Sequence, residues 1–493
     1  MWGMPAHEQL FEQVCQHARE TALLAATEGA LAWDERTMLP PEAAEYRTEQ
    51  LTLLAGMVHA RRTDKRFGEW LAELAAGPLA ADRHSASGTI IRQLKRDYDR
   101  RAKLPQSLVE ELSRTASRGQ HAWEAARRND DFSSFAPLLA KMFELKRAEA
   151  EALGYPETPY DALLDDYEQG ELTSRVGRVL AELREALVPL VGEIAASARR
   201  PDVSILARSY PIEAQEAFSR AAATAIGFDF RRGRLDVTAH PFCTGLGPND
   251  CRITTRYDEH AFGSAFFGTL HEAGHGIYDQ GLPGAWYGLP PGEAVSLGIH
   301  ESQSRLWENL VGRSRAFWEH FFPAAQRAFP ATLAGVPLEA FYFAINDVRP
   351  SLVRVEADEA TYNLHILARF ELERWLLSGD LQVADLPDAW SEKYQQYLGI
   401  RSESDANGAL QDIHWSAGLV GYFPTYSLGN LYAAQFFAQA EQDLGALAPQ
   451  FARGEFAPLR EWLAANIHRH GQCFTAAELV QKITGKPLSP APL

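Results

Sequence analysis

The tightest constraint on this chain is the run Gly268-Thr269-Leu270-His271-Glu272-Ala273-Gly274-His275-Gly276-Ile277-Tyr278. Its core is His-Glu-x-x-His. On an α-helix a four-residue step is one turn plus about 40°, so His271 and His275 leave one face and both imidazoles can reach a single ion. Glu272 lies about 100° round the helix from His271. That places it beside the ion rather than on it, where it can take a proton from an attacking water. Histidines near apolar residues are mostly satisfied core or surface groups. With 15 His in 493 residues, however, this pattern is expected by chance only roughly 0.03 times per chain.

The arrangement is the metallopeptidase signature, and it requires a third ligand. The metzincin continuation would place Gly and His three and six residues after the second histidine, where this chain has Tyr278 and Gly281. The run His300-Glu301-Ser302-Gln303-Ser304-Arg305-Leu306-Trp307-Glu308 begins 25 residues downstream of His275. A carboxylate on a second helix packed against the first would complete a three-ligand site with an open fourth position, as catalytic zinc requires. Glu301 is the expected ligand, and Glu308, two turns further along that face, is the alternative.

Composition bounds the class. The chain is 46% hydrophobic and 23% charged, ordinary for a globular protein. A net charge of −17 argues against a nucleic-acid binder, whose footprint should be basic, and against an anionic membrane surface. Cys15, Cys243, Cys251 and Cys473 are scattered without a Cys-x-x-Cys pair, which fits a reducing compartment and no disulfide framework. Cys243 and Cys251 are near enough in sequence to pair across a loop, but free thiols are the expectation. The start Met1-Trp2-Gly3-Met4-Pro5-Ala6-His7-Glu8 lacks the regions of a signal peptide, and no apolar run approaches a membrane span. A cytoplasmic location is the expectation.

Along the chain the pattern is helical to about residue 200. Leu10, Val14 and Leu24 mark a first helix, and Pro40-Pro41 opens a second. Val176, Leu180, Leu183, Leu187, Val191 and Ile194 stripe a long helix after Thr173-Ser174, which read as caps. Between about 228 and 257, alternation at Phe228-Asp-Phe230 and Leu235-Asp-Val237-Thr238, then the crowded Gly245-Leu-Gly-Pro-Asn249, predicts a small β region of hairpins. Metal-site helices follow from about 261 to 430. No internal repeat or clean linker divides residues 1–493, so a single mainly α domain is expected.

Other polar groups recur near these elements. His240-Pro-Phe242 and Asp250-Cys-Arg252-Ile-Thr254 lie in the β region, and Val353-Arg354-Val-Glu356-Ala-Asp358 is placed on a later helix. Gln411-Asp412-Ile-His414-Trp415 precedes Gly421-Tyr422-Phe-Pro-Thr-Tyr426. Singly, Arg252 and Arg354 read equally as salt-bridge partners of Asp250 and Asp358. Together the groups supply what a peptide hydrolase needs: an arginine fork for a carboxylate, and tyrosine or imidazole donors for an oxyanion.

With His271-Glu-x-x-His and His300-Glu-Ser-Gln, these ordered motifs resemble the carboxypeptidase Taq family of metallocarboxypeptidases. The likeness runs from Leu31-Ala-Trp33-Asp34 to Asn466-Ile-His-Arg-His470. It implies a two-lobed helical fold with a deep central groove, a homodimer, and release of C-terminal residues from peptides with broad side-chain tolerance. It also implies that His271, His275 and Glu301 hold one divalent metal and that Glu272 is the general base. Arg354 and Arg252 would grip the substrate's terminal carboxylate, His240 would border the cleft, and His414 with Tyr422 or Tyr426 would stabilise the oxyanion. Zinc is the expected ion; cobalt and manganese suit the same ligands. Cys251 stands where an aliphatic residue is expected. An endo-acting metallo-oligopeptidase is the alternative within hydrolases. From another class comes a non-catalytic helical zinc-binding protein, against which an intact Glu272 argues.

Overall fold

The computed structural model describes residues 6–493, so the start Met1–Pro5, read above for a targeting segment, lies outside the described residues. The chain is 69% helical and forms two compact units. One comprises Met1–Ala102, Asp202–Ile345 and Tyr432–Pro487; the other comprises Lys103–Pro201, Asn346–Leu431 and Leu488–Leu493. No helix among the described residues is long and apolar enough to cross a membrane.

In the first unit a 32-residue helix, Ala6–Thr37, is followed by a 3₁₀ turn at Pro41–Ala43 and the helix Ala44–Arg62. Proline at the first position of that turn loses no hydrogen bond, because its missing N–H would have had no partner there. The β region is three short strands, β1 (Gly233–Val237), β2 (Cys243–Gly245) and β3 (Cys251–Thr255), in the order β1-β3-β2. The expectation of hairpins holds for β2 and β3, which are antiparallel, but β1 runs parallel to β3. Phe228-Asp-Phe230 is not a strand at all. Phe228 is buried instead, edge-on to Phe230, in space left by Gly276, where a Cβ would come within 2.4 Å of its ring.

Immediately after β3 comes the helix Phe262–Gly281, which carries the His-Glu-x-x-His run. Its N-terminal half is anchored by aromatic packing. Phe262 and Phe266 are fully buried against Phe218, Trp318, Phe329 and Phe341, with ring centroids 4.7–6.5 Å apart within the cluster. Each such ring contributes roughly 1.5–3 kcal/mol by burial, so this end of the helix is held rigidly. The partner helix, Leu297–Arg305, is capped by Ser296, whose side chain accepts from the Ile299 N–H, and runs on into a π-helical turn at Leu306–Val311.

The second unit contains the long helix Thr173–Ala196, in which Val176, Leu180, Leu183 and Val191 of the predicted stripe are buried. Thr173 is its first residue, not its cap: its N–H and hydroxyl both donate to Asp161. Two further expectations are corrected here. Arg354 lies on a short 3₁₀ turn, Arg354–Glu356, ahead of the helix Glu359–Ser378 rather than on it. Residues 399–423 run as turns instead of helix. They are fixed by side chains: Trp123 Nε1 donates to the Leu410 carbonyl, and Trp415 Nε1 donates to Glu373.

Candidate metal centre and active site

His271, His275 and Glu301 converge in the first unit, with one donor atom of each within 4.8 Å of the others. Glu301 Oε2 lies 3.7 Å from His271 Nε2 and 3.6 Å from His275 Nε2. A tetrahedral ion with ligands at about 2.0–2.2 Å separates its donors by roughly 3.3–3.6 Å, so the three residues fit one divalent metal. Two glycine-free neighbours could not approach this closely. A Cβ on Gly274 would sit 2.6 Å from Ser304 Cα and 2.7 Å from the Gln303 carbonyl oxygen, so glycine here lets the two helices meet backbone to backbone.

The outer atoms of these three residues are committed. Glu301 Oε1 accepts from Arg305 Nε at 2.7 Å, which leaves Oε2 for the imidazoles. His271 Nδ1 donates to Glu308 Oε2 at 2.8 Å. Glu308, the alternative ligand by spacing, thus takes the outer position and orients His271. Asp279 Oδ1 accepts from His300 Nε2 at 2.9 Å, and His300 Nδ1 meets His275 Nδ1 at 2.5 Å. One proton lies between the two Nδ1 atoms; when it is on His275, the His275 lone pair is on Nε2, towards Glu301. Ser304 Oγ lies 2.8 Å from the same Nε2, a hydrogen bond that an ion on that lone pair would displace. Side-chain partners such as Glu308 on His271 and the Asp279–His300 pair on His275 fix ring orientation and raise ligand basicity.

Glu272 is buried beside this cluster. Burial raises its pKa to about 7, the Glu301 and Glu308 carboxylates add to the rise, and His271 opposes it. Glu308 moves the other way. Burial works against its ionisation, but Arg305 and His271 outweigh that and hold it at about 2.

Arg252 and His240 also belong to the first unit. Arg252 makes a two-pronged bond to Asp250 at 2.8 and 2.9 Å, and its guanidinium lies 4.5 Å from the centre of the Trp33 ring. His240 is exposed on the bend between β1 and β2. The neighbouring Phe242 is locked to β3 through Thr254, whose hydroxyl accepts from the Phe242 N–H and whose N–H donates to the Phe242 carbonyl.

The remaining sequence-predicted residues form a second buried cluster, in the other unit. Arg354 Nε and Nη2 donate to Asp412 Oδ1 at 3.0 and 2.8 Å, and Nη1 donates to the Tyr362 hydroxyl at 3.0 Å. Its partner is therefore Asp412, not Asp358, which instead caps the helix Glu359–Ser378. Asp412 Oδ2 accepts from Arg369 at 2.6 Å. Burial disfavours the Asp412 charge, but Arg369 and Arg354 override it and hold the carboxyl well below the usual range. His414 Nε2 is 3.4 Å from the Tyr426 hydroxyl, and the Arg354 guanidinium lies 5.1 Å from the Tyr426 ring centre. Burial lowers the His414 pKa to about 4 against the pull of Asp412, so the ring is neutral at pH 7. Tyr422 packs in the same group, its ring 5.3 Å from His414 and 5.4 Å from Tyr426, with Tyr167 edge-on at 5.2 Å.

Arg369, Glu373 and Asp279 are contributors outside the residues singled out by sequence, and His300 and Ser304, quoted in the run around Glu301, had no role assigned. Asp279 carried a positional signal, since it stands four residues beyond His275 on the metal-bearing face.

Comparison with known proteins agrees with this geometry. The profile of the family described as carboxypeptidase Taq (M32) metallopeptidase matches residues 13–493. Thermostable carboxypeptidase 1 of Thermus thermophilus is 49% identical over 98% of this chain and 97% of its own length. Carboxypeptidase 1 of Bacillus subtilis is 40% identical over 93% and 91%. The crystal structure of the M32 carboxypeptidase from Deinococcus radiodurans superposes with a TM-score of 0.94 at 43% identity, covering 98% of this chain and 97% of that one. The chain belongs to the carboxypeptidase Taq (M32) family and is a metal-dependent carboxypeptidase, a peptide hydrolase.

Proposed function

We propose that His271, His275 and Glu301 hold one zinc ion and that Glu272 is the general base of an enzyme that removes residues one at a time from free peptide C-termini. The observation that carries this reading is the convergence of three donors whose remaining atoms are each taken, by Glu308, by His300 and by Arg305. When bound, a divalent ion at such a site acidifies a water and polarises the scissile carbonyl. Cobalt or manganese would serve with the same ligands.

Glu272 takes the proton of the attacking water on its carboxylate and returns it to the leaving amine. A pKa of about 7 suits both transfers. Tyr426 is the better of the two tyrosines as oxyanion donor, because it is joined to neutral His414 and stacked on Arg354. Arg354 uses three of its five N–H donors on Asp412 and Tyr362, leaving two for a substrate carboxylate. Arg252 is a second, more exposed cation for that carboxylate, and His240 limits what extends past the terminal residue. The same reading carries a homodimer acting in the cytoplasm. Its support is the family resemblance and four free cysteines.

Two variants test the assignment together. Glu272→Gln should keep the metal and lose on the order of 10²–10⁴ in kcat, whereas Glu301→Ala should lose the metal itself, read by elemental analysis. Full turnover in Glu272→Gln, or stoichiometric metal in Glu301→Ala, would remove those roles.

A further inference from the structure

Cys243 on β2 and Cys251 on β3 have their Sγ atoms 3.7 Å apart, and Asp279 Oδ2 lies 3.9 Å from Cys243 Sγ. One donor atom of each of the three lies within 4.8 Å of the others. In the β2–β3 register Cys243 is opposite Ile253 and Cys251 is opposite Gly245, so the cysteines are diagonal neighbours on one face. Diagonal neighbours have backbones about 7–8 Å apart, beyond the roughly 4.4–6.8 Å that a disulfide accommodates. Two thiolates on a tetrahedral ion, each bonded at about 2.3 Å, stand roughly 3.8 Å apart. The spacing fits a shared ion, as it fits the thiol–thiol hydrogen bond of the metal-free state, and it is not that of a sulfur–sulfur bond.

The surroundings give such an ion access. Cys251, Asp279 and His300 line a cavity of about 570 Å³ together with Gly245, Pro283 and Glu293, which leaves room for a solvent ligand to complete the coordination. We propose that Cys243, Cys251 and Asp279 form a second metal site, distinct from the His271–His275–Glu301 centre and selective for a thiophilic divalent ion such as zinc or cadmium. On binding, two sulfur–metal bonds form and two thiol protons pass to solvent; no oxidant or reductant takes part. Asp279 links the two centres, since Oδ1 holds His300 against His275 while Oδ2 faces the cysteines. That coupling rests on the ligand role proposed for His275, but occupancy of the second site does not.

The test is a titration with cadmium chloride of protein brought to one zinc per chain, with its thiols metal-free. It follows the thiolate-to-cadmium charge-transfer absorbance and proton release, with zinc and cadmium per chain counted at the end. One cadmium per chain with the charge-transfer band and release of two protons is expected. Cys243→Ser/Cys251→Val, in which valine fills the buried position, should keep one zinc and lose both the band and the second equivalent. Should that pair fail to fold, Cys243→Ser alone, at a half-buried position, should still weaken the band. Three results would overturn the proposal: no band in wild type with all thiols free, a band that survives in the cysteine variants, or two thiols that react only after reduction. Loss of zinc with retention of the cadmium band would instead count against the first centre alone.

Discussion

Glu308 and Arg354 show how a side chain's remaining bonds decide what its removal does. Glu308 holds the outer nitrogen of His271 and is in turn held by Arg305 and Arg313. Glu308→Ala should therefore weaken metal affinity by about 10–100-fold without abolishing binding, measured by competition with a chromogenic chelator. Arg354→Ala should act elsewhere, reducing the preference for a free-acid over an amidated peptide at unchanged metal content; an unchanged ratio would remove it from substrate recognition. At this scale the sequence exposed His271, Glu272 and His275 through their spacing alone. The place of Glu308 was hidden because a π-helical turn alters the register after Arg305. The partner of Arg354 was hidden because Asp412 lies 58 residues away, and the nearer Asp358 was an equally good guess.

Between elements, the crossing of the metal helix with its partner hangs on one glycine. Gly274→Ala places a methyl against backbone atoms that cannot rotate away and should destabilise by about 1–3 kcal/mol and loosen the metal. Gly268→Ala on the same helix meets nothing within 4 Å and should be neutral or stabilise by up to about 1 kcal/mol; thermal melts of the two variants make the comparison. In the second unit, Glu373 ties Tyr160, Trp415 and the Gly421 N–H together from a fully buried position. Burial raises its pKa from 4.5 to about 7, against those hydrogen bonds and Arg369. The folded state therefore binds more protons between these values. The contribution of Glu373 to stability is complete below about 4.5 and is lost as pH rises through 7. Unfolding midpoints across that window should fall with pH in wild type and fall less in Glu373→Gln, which keeps an acceptor for Trp415. Helices with an apolar stripe, such as Thr173–Ala196, could be read from periodicity. The turns of 399–423 could not, because an irregular segment fixed by distant tryptophans leaves no period, and the parallel pairing of β1 with β3 joins strands separated in sequence by β2.

For the molecule as a whole, each unit contains its own cluster of chemically committed residues, and the three residues proposed to hold the metal belong to the first. A ligand bound only by the folded state stabilises it by about 2.7 kcal/mol at a hundred times its dissociation constant. Chelation should therefore lower the melting temperature, and zinc should restore it. The central claim is release of residues from a free C-terminus, and one mixed peptide offered as free acid and as amide to the zinc-loaded enzyme tests it most directly. Mass spectra should show a ladder shortening from the C-terminus of the acid, with the amide left intact. Internal cuts in both forms would contradict the account and leave Arg354 and Arg252 as scaffold.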